Sequence, residues 1–172
     1  MSSRKCLMAL VAVGALSVAD TALAQIAVSA NDNKVKLNNG KVDVVKSPPA
    51  DTITVIDLGA NPPKVLSEIE VPNSVVGPPL NVAITPKQEI ALISSNMKID
   101  PANPEKTTPD DRVTVVDLTT LHASLTSRLK TAVGLGKNDP LPAAKVLATL
   151  QVGKGAAGIA VNRAGTLALV AN

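Results

Sequence analysis

The chain has 172 residues, a formal net charge of +3, 45% hydrophobic residues, one His, one Cys and no Phe, Trp or Tyr. Without aromatic rings it cannot build an aromatic cage, a base-stacking platform or an interfacial aromatic belt, and a zinc site would have to combine His122 with carboxylates alone. Lys and Arg number 17 against 14 acids with no basic cluster, which argues against nucleic-acid binding, and the length fits one domain with a core of Val, Leu, Ile and Ala.

At the N-terminus, Arg4 and Lys5 precede an apolar run over residues 7–19, followed by Asp20, Thr21 and the small-residue triplet Ala22-Leu23-Ala24. A basic start, an apolar run too short to span a bilayer and small residues before a cleavage point predict a secretory signal peptide cut after Ala24. Residues 25–172 then form the mature domain, in the periplasm or outside the cell, with no membrane span. Cleavage removes Cys6, so stability in an oxidising compartment rests on packing without disulfides. Cys6 precedes the apolar run, where a lipoprotein cysteine would follow it.

From residue 26 onward, short β-branched runs alternate with turn residues. Residues 34–45 predict a hairpin in which Val35 and Leu37 face Val42 and Val44 across an Asn39-Gly40 type I′ turn. Other runs recur in order. NVAITPKQEIALISSN (81–96) resembles GIAVNRAGTLALVAN (158–172), with Ile84 answering to Val161 and Ile90 to Leu167, and IAVSAN (26–31) is a partial third copy. DTITVIDL (51–58) matches DRVTVVDL (111–118), and KVLSEIEV (64–71) matches KVLATLQV (145–152). Self-similarity at long period predicts a repeat architecture. Four strand candidates per unit fit a blade of four antiparallel strands, and the alternation in residues 113–118 places apolar groups on both faces, as for a sheet packed between neighbours.

The order T-V-x-D-L, K-V-x-x-x-x-x-V, G-I-A-V-x-x-x-G-x-x-A-L-V-A-N resembles the YVTN-type β-propeller repeat of surface-layer and lactonase-like propellers, over residues 26–172. Leu169 and Leu92 or Ile93 stand where that repeat has Tyr, Ala157 stands at its turn proline, and the spacing from Ile90 to Leu167 exceeds the roughly 40–50 residues usual for propeller repeats. The stretch is assigned to insertions: an exposed loop at residues 97–110 with Pro101, Pro104 and Pro109, and a helix at residues 119–133 with Leu121, Leu125 and Leu129 on one face, lying as a lid on one rim. The fold expected is therefore all-β, with propeller blades of four-stranded antiparallel sheets. About two repeats plus one strand make an incomplete ring, with one short inserted helix. Such a count is expected of the N-terminal part of a longer propeller or of a ring assembled from several chains, and open β edges favour self-association.

No reaction is legible. Gly153-Lys154-Gly155-Ala156-Ala157-Gly158 matches G-x-G-x-x-G, but the residues that follow read as a strand, which favours a turn between units over a dinucleotide site. The same slot in the earlier copy is Gly77-Pro78-Pro79. His122 reads as a rim histidine, and Ser94 and Ser95 lack a nucleophile elbow. Asp57 and Asp117 recur at equal positions and read as turn caps. Asp100, Glu105, Asp110 and Asp111 could collect Ca²⁺ but lack the loop spacing for it. The expectation is thus a binding or scaffold module with an unidentified protein or small-molecule ligand, no resident cofactor or metal, and no assigned catalytic residue. The resemblance also implies two alternatives: a lactonase-like hydrolase, or an accessory propeller of a periplasmic dehydrogenase. The chain has no C-x-x-C-H sequence for covalent haem.

Overall fold

The computed structural model describes residues 25–75, 81–121 and 142–172. The expected signal segment, His122, Gly77-Pro78-Pro79 and most of the expected helix lie outside these residues. Residues 119–121 are helical.

The described chain is all-β, in small antiparallel sheets. The first sheet joins β1 (Ile26–Asn31), β4 (Thr52–Asp57) and β5 (Lys64–Glu70), with the hairpin β2 (Val35–Asn38) and β3 (Lys41–Val44) inserted between β1 and β4. The second sheet is a meander in the order β6 (Val82–Ile84), β7 (Ile90–Asp100), β8 (Asn103–Asp117) and β9 (Lys145–Gln151). A final pair joins β10 (Ile159–Val161) to β11 (Ala168–Val170).

The copies seen in sequence adopt the same register. Asp57 faces Ile26 on one side and Lys64 on the other, as Asp117 faces Ile90 and Lys145. The outer pairing slips between Val55 and Ile56 in the first sheet and between Val115 and Val116 in the second. Flanking backbone bonds repeat as well: Leu58 N–H to Gln25 O and Leu118 N–H to Glu89 O, then Val71 N–H to Asp51 O and Val152 N–H to Asp111 O. The β6–β7 turn recurs in β10–β11, where Gln88 N–H reaches Thr85 O and Gly165 N–H reaches Asn162 O. Gln88 (φ 58°) and Gly165 (φ 71°) both turn through the left-handed region. Thr85 Oγ1 accepts Ile90 N–H at 3.1 Å, and the Asn162 side chain accepts Leu167 N–H at 3.1 Å, so two different polar side chains close the same turn.

The sheets stack through aliphatic cores. Ile26, Ile53, Val55 and Val71 of the first unit pack with Ala91, Ile93, Val116 and Leu118 of the second. On the other face of the second sheet, Val113, Leu92 and Ala83 meet Ile159 and Val170. Both faces of β8 are therefore apolar, as the alternation implied. The hairpin also forms in the expected register, Val35 opposite Val44 and Leu37 opposite Val42, with Asn39 (φ 49°) and Gly40 (φ 80°) supplying the two positive φ angles of a type I′ turn.

The expected loop at residues 97–110 is instead ordered as strand. β7 and β8 run past the sheet as a two-stranded ribbon that turns at Pro101 and Ala102, where Asp100 Oδ1 accepts Ala102 N–H at 2.9 Å. Met97, Ile99, Thr107 and Thr108 suit extended backbone; among the described residues no further strand pairs with the outer edges of the ribbon, and its register shifts at Ser95/Met97 and Ile99/Asp100. Edges and bulges are where strands accept a proline's missing N–H, so Pro104 and Pro109 do not force a loop.

Candidate functional site

The two units are lengthened at the same place. In the first, the link from β1 to β4 carries the β2–β3 hairpin; in the second, the equivalent link is the β7–β8 ribbon. The two insertions are bridged at the surface by Lys46 Nζ and Glu105 Oε1, 2.6 Å apart. Beneath them lies a cleft of about 430 Å³, lined by Pro48, Pro49, Val71, Pro72 and Ile99 together with Lys34, Asp51, Glu70, Lys98 and Arg112.

One wall is built around Lys34. Its ammonium is buried with the Asp32 and Asp51 carboxylates, at 3.0 and 2.5 Å, and donates to Asn73 O at 2.5 Å. The carboxylates are fixed in turn by backbone donors: Lys34 N–H and Val75 N–H to Asp32, and Asn33 N–H to Asp51. Asn73 Nδ2 lies within hydrogen-bond distance of Asn31 O, Thr52 O and Val71 O, and thereby joins the ends of three segments of this unit. Its buried Oδ1 has no partner among the described residues. Glu70, at the end of β5, is exposed and makes no ion pair among the described residues.

The opposite wall inverts the charge. Asp110 is fully buried and receives Arg112 Nε at 3.0 and 2.9 Å, Arg112 Nη2 at 2.6 Å and Asp111 N–H at 3.0 Å, with Lys98 Nζ at 3.6 Å. Burial raises the Asp110 pKa, but hydrogen bonds from Arg112, Ser95 and Asp111, with the guanidinium charge, outweigh it and hold the carboxyl below its ordinary range. Arg112 spends its Nε–Nη2 edge on Asp110, which leaves the Nη1–Nη2 edge without a protein partner among the described residues.

Of the residues singled out in sequence, Ser95, Asp111 and Gly155 meet Asp110 and Ser94 meets Ala157, whereas Asp57, Asp100, Glu105 and Asp117 have separate partners. Asp100 caps the ribbon turn, Glu105 pairs with Lys46, Asp110 is held by Arg112, and Asp111 accepts Val152 N–H through its backbone carbonyl. Among the described residues no group of three or more His, Cys, Asp or Glu is placed to share a metal ion. Ser94 Oγ donates to Ala157 O, and Ser95 Oγ hydrogen-bonds Asp110 and lies 3.4 Å from Met97 O, so these hydroxyls serve the neighbouring turn, the buried carboxylate and the β7 bulge. Gly155 (φ 84°) turns the chain between β9 and β10, its N–H on Asp110 O at 2.7 Å. A strand follows this glycine run, without the helix a dinucleotide site requires. Asp57 and Asp117 do cap turns: Asp57 Oδ1 accepts Gly59 N–H, and Asp117 Oδ1 accepts Thr119 N–H, each at 2.8 Å. The Thr119 hydroxyl adds a 2.6 Å bond, and hydrogen bonding to Thr119 holds Asp117 below the usual carboxylate range.

Nothing in the sequence singles out Lys34, Glu70, Lys98 or Arg112: Glu70 and Arg112 lie inside the recurring runs 64–71 and 111–118, at positions that differ between the copies. The available signal is indirect: two insertions fall at one point of successive repeats. Among the described residues no helix is long and apolar enough to cross a membrane. Comparison with protein-family models, curated proteins and solved structures finds no match.

Proposed function

We propose that the chain is a segment of a YVTN-like β-propeller, exported to the periplasm or beyond and acting there as a binding module, with the cleft between its two insertions as the binding site. The recurrence of one strand register, bulge included, in successive units carries the blade reading. Arg4, Lys5, the apolar run and Ala22-Leu23-Ala24 carry export. The cleft qualifies on size and lining, since small-molecule sites combine apolar walls with a few convergent polar groups in roughly 300–1,000 Å³.

Two measurements test this reading. Cell fractionation followed by N-terminal sequencing is expected to find a protein that begins at Gln25 outside the cytoplasm; an uncut chain in the cytoplasm overturns export. A crystal structure is expected to relate the first sheet to the second, and the β6–β7 pair to β10–β11, by the same rotation. Unequal rotations overturn the blade reading.

A further inference from the structure

The cleft is dipolar. On the wall from the second unit, two cations, Lys98 and Arg112, share the single carboxylate of Asp110. On the wall from the first unit, one cation, Lys34, lies between two carboxylates, and Glu70 adds an unpaired third. Surplus positive charge thus faces surplus negative charge, and no ion pair joins the two surpluses across the cleft among the described residues. A simple anion would meet Glu70 and Asp51, and a simple cation would meet Arg112 and Lys98. A ligand with one charge of each sign satisfies both walls.

We propose that this cleft binds small zwitterions of the peptide class, with the ligand carboxylate on the free edge of Arg112 and on Lys98, and its ammonium toward Glu70 and Asp51. A guanidinium edge matches a carboxylate in two parallel hydrogen bonds, and Arg112 is held for that role because its other edge is anchored on buried Asp110. Pro48, Pro49, Pro72, Val71 and Ile99 supply rigid aliphatic walls for short side chains. A volume of about 430 Å³ limits the occupant to a few residues. The inference rests on the binding-module reading and adds to it the ligand's chemistry.

Calorimetric titration of the full chain with trialanine tests it, using the free peptide, its N-acetylated form, its C-amidated form and the doubly blocked form. Free trialanine is expected to bind, and each single block to weaken binding at least about tenfold, or 1.4 kcal/mol. Glu70→Gln is expected to abolish the preference over the acetylated form, and Lys98→Gln to reduce the preference over the amidated form. Both side chains reach solvent, so both variants are expected to keep the wild-type far-UV spectrum. No binding of free trialanine at millimolar concentration, equal binding of the doubly blocked peptide, or unchanged preferences in folded variants would each overturn the proposal. Those results leave the N-terminus of the exported protein and the rotation between sheets untouched, so failure of this inference and failure of the propeller reading are read by different measurements.

Discussion

The two charged clusters at the insertion rim occupy corresponding places in successive units, yet they solve burial with opposite signs. Asn31 faces Thr52 as Ser95 faces Arg112, so Lys34 and Lys98 are equivalent by count. In the first unit the lysine is buried and its two carboxylates are the partners; in the second the carboxylate of Asp110 is buried and the cations reach solvent. A buried charge is tolerated wherever its hydrogen-bonding capacity is met, and the sign is secondary. The two solutions are not equally robust. Asp32 is wholly withdrawn from water and Lys34 and Asp51 keep only a narrow edge on the cleft, whereas water can partly replace Arg112 and Lys98.

That asymmetry sets the order of the expected mutational effects. Lys34→Met strands two carboxylates in the interior and is expected to cost about 3–5 kcal/mol, read as a lowered midpoint of urea unfolding. Arg112→Gln removes charge-assisted hydrogen bonds but leaves Lys98 near Asp110, for an expected loss of about 1.5–3 kcal/mol in the same assay. If Arg112→Gln proved the costlier of the two, the contrast between the clusters would be wrong.

Acid titration sharpens the second cluster. The Asp110 pKa in the folded chain lies below the ordinary aspartate value of about 3.9. The stabilisation it brings is therefore complete above that value and is lost as pH falls through the folded pKa. Unfolding free energy measured against pH is expected to decline below about pH 4, and Asp110→Asn to flatten that limb. An identical acid limb in the variant would assign the decline to other carboxylates. The smallest effect is expected for Lys98→Gln, below about 1 kcal/mol, because its ammonium is part-exposed and 3.6 Å from the carboxylate.

Much of the strand framework was legible in the sequence because each copy repeats the features that set register. The Asp in T-V-x-D-L caps the turn that ends its strand, and the Asn39-Gly40 pair dictates its hairpin through two positive φ angles. The ribbon is not legible, because prolines favour loops and nothing in the sequence marks these strands as edge strands, where proline is tolerated. The cleft was less legible still. Glu70 and Arg112 lie in different units, and only the stacking of sheets brings them to one cavity. The recurrent aspartates drew attention by repetition, and repetition marked the scaffold; the cleft depends on what differs between copies, namely the two insertions.

Leu121 and Ala144, from the connection between β8 and β9, are both buried in the core beneath the first sheet, and Ala144 N–H is bonded to Ser67 Oγ of β5 at 3.0 Å. The second unit therefore straps down the outer strand of the first, while Leu147 and Leu150 at comparable places on β9 stay exposed. In terms of opening reactions, the first two sheets cannot part without pulling this strap free, so their amides are expected to exchange as one cooperative unit. The β10–β11 pair, held by the smaller cluster around Val113, Ala156 and Ile159, is expected to open separately and to exchange first.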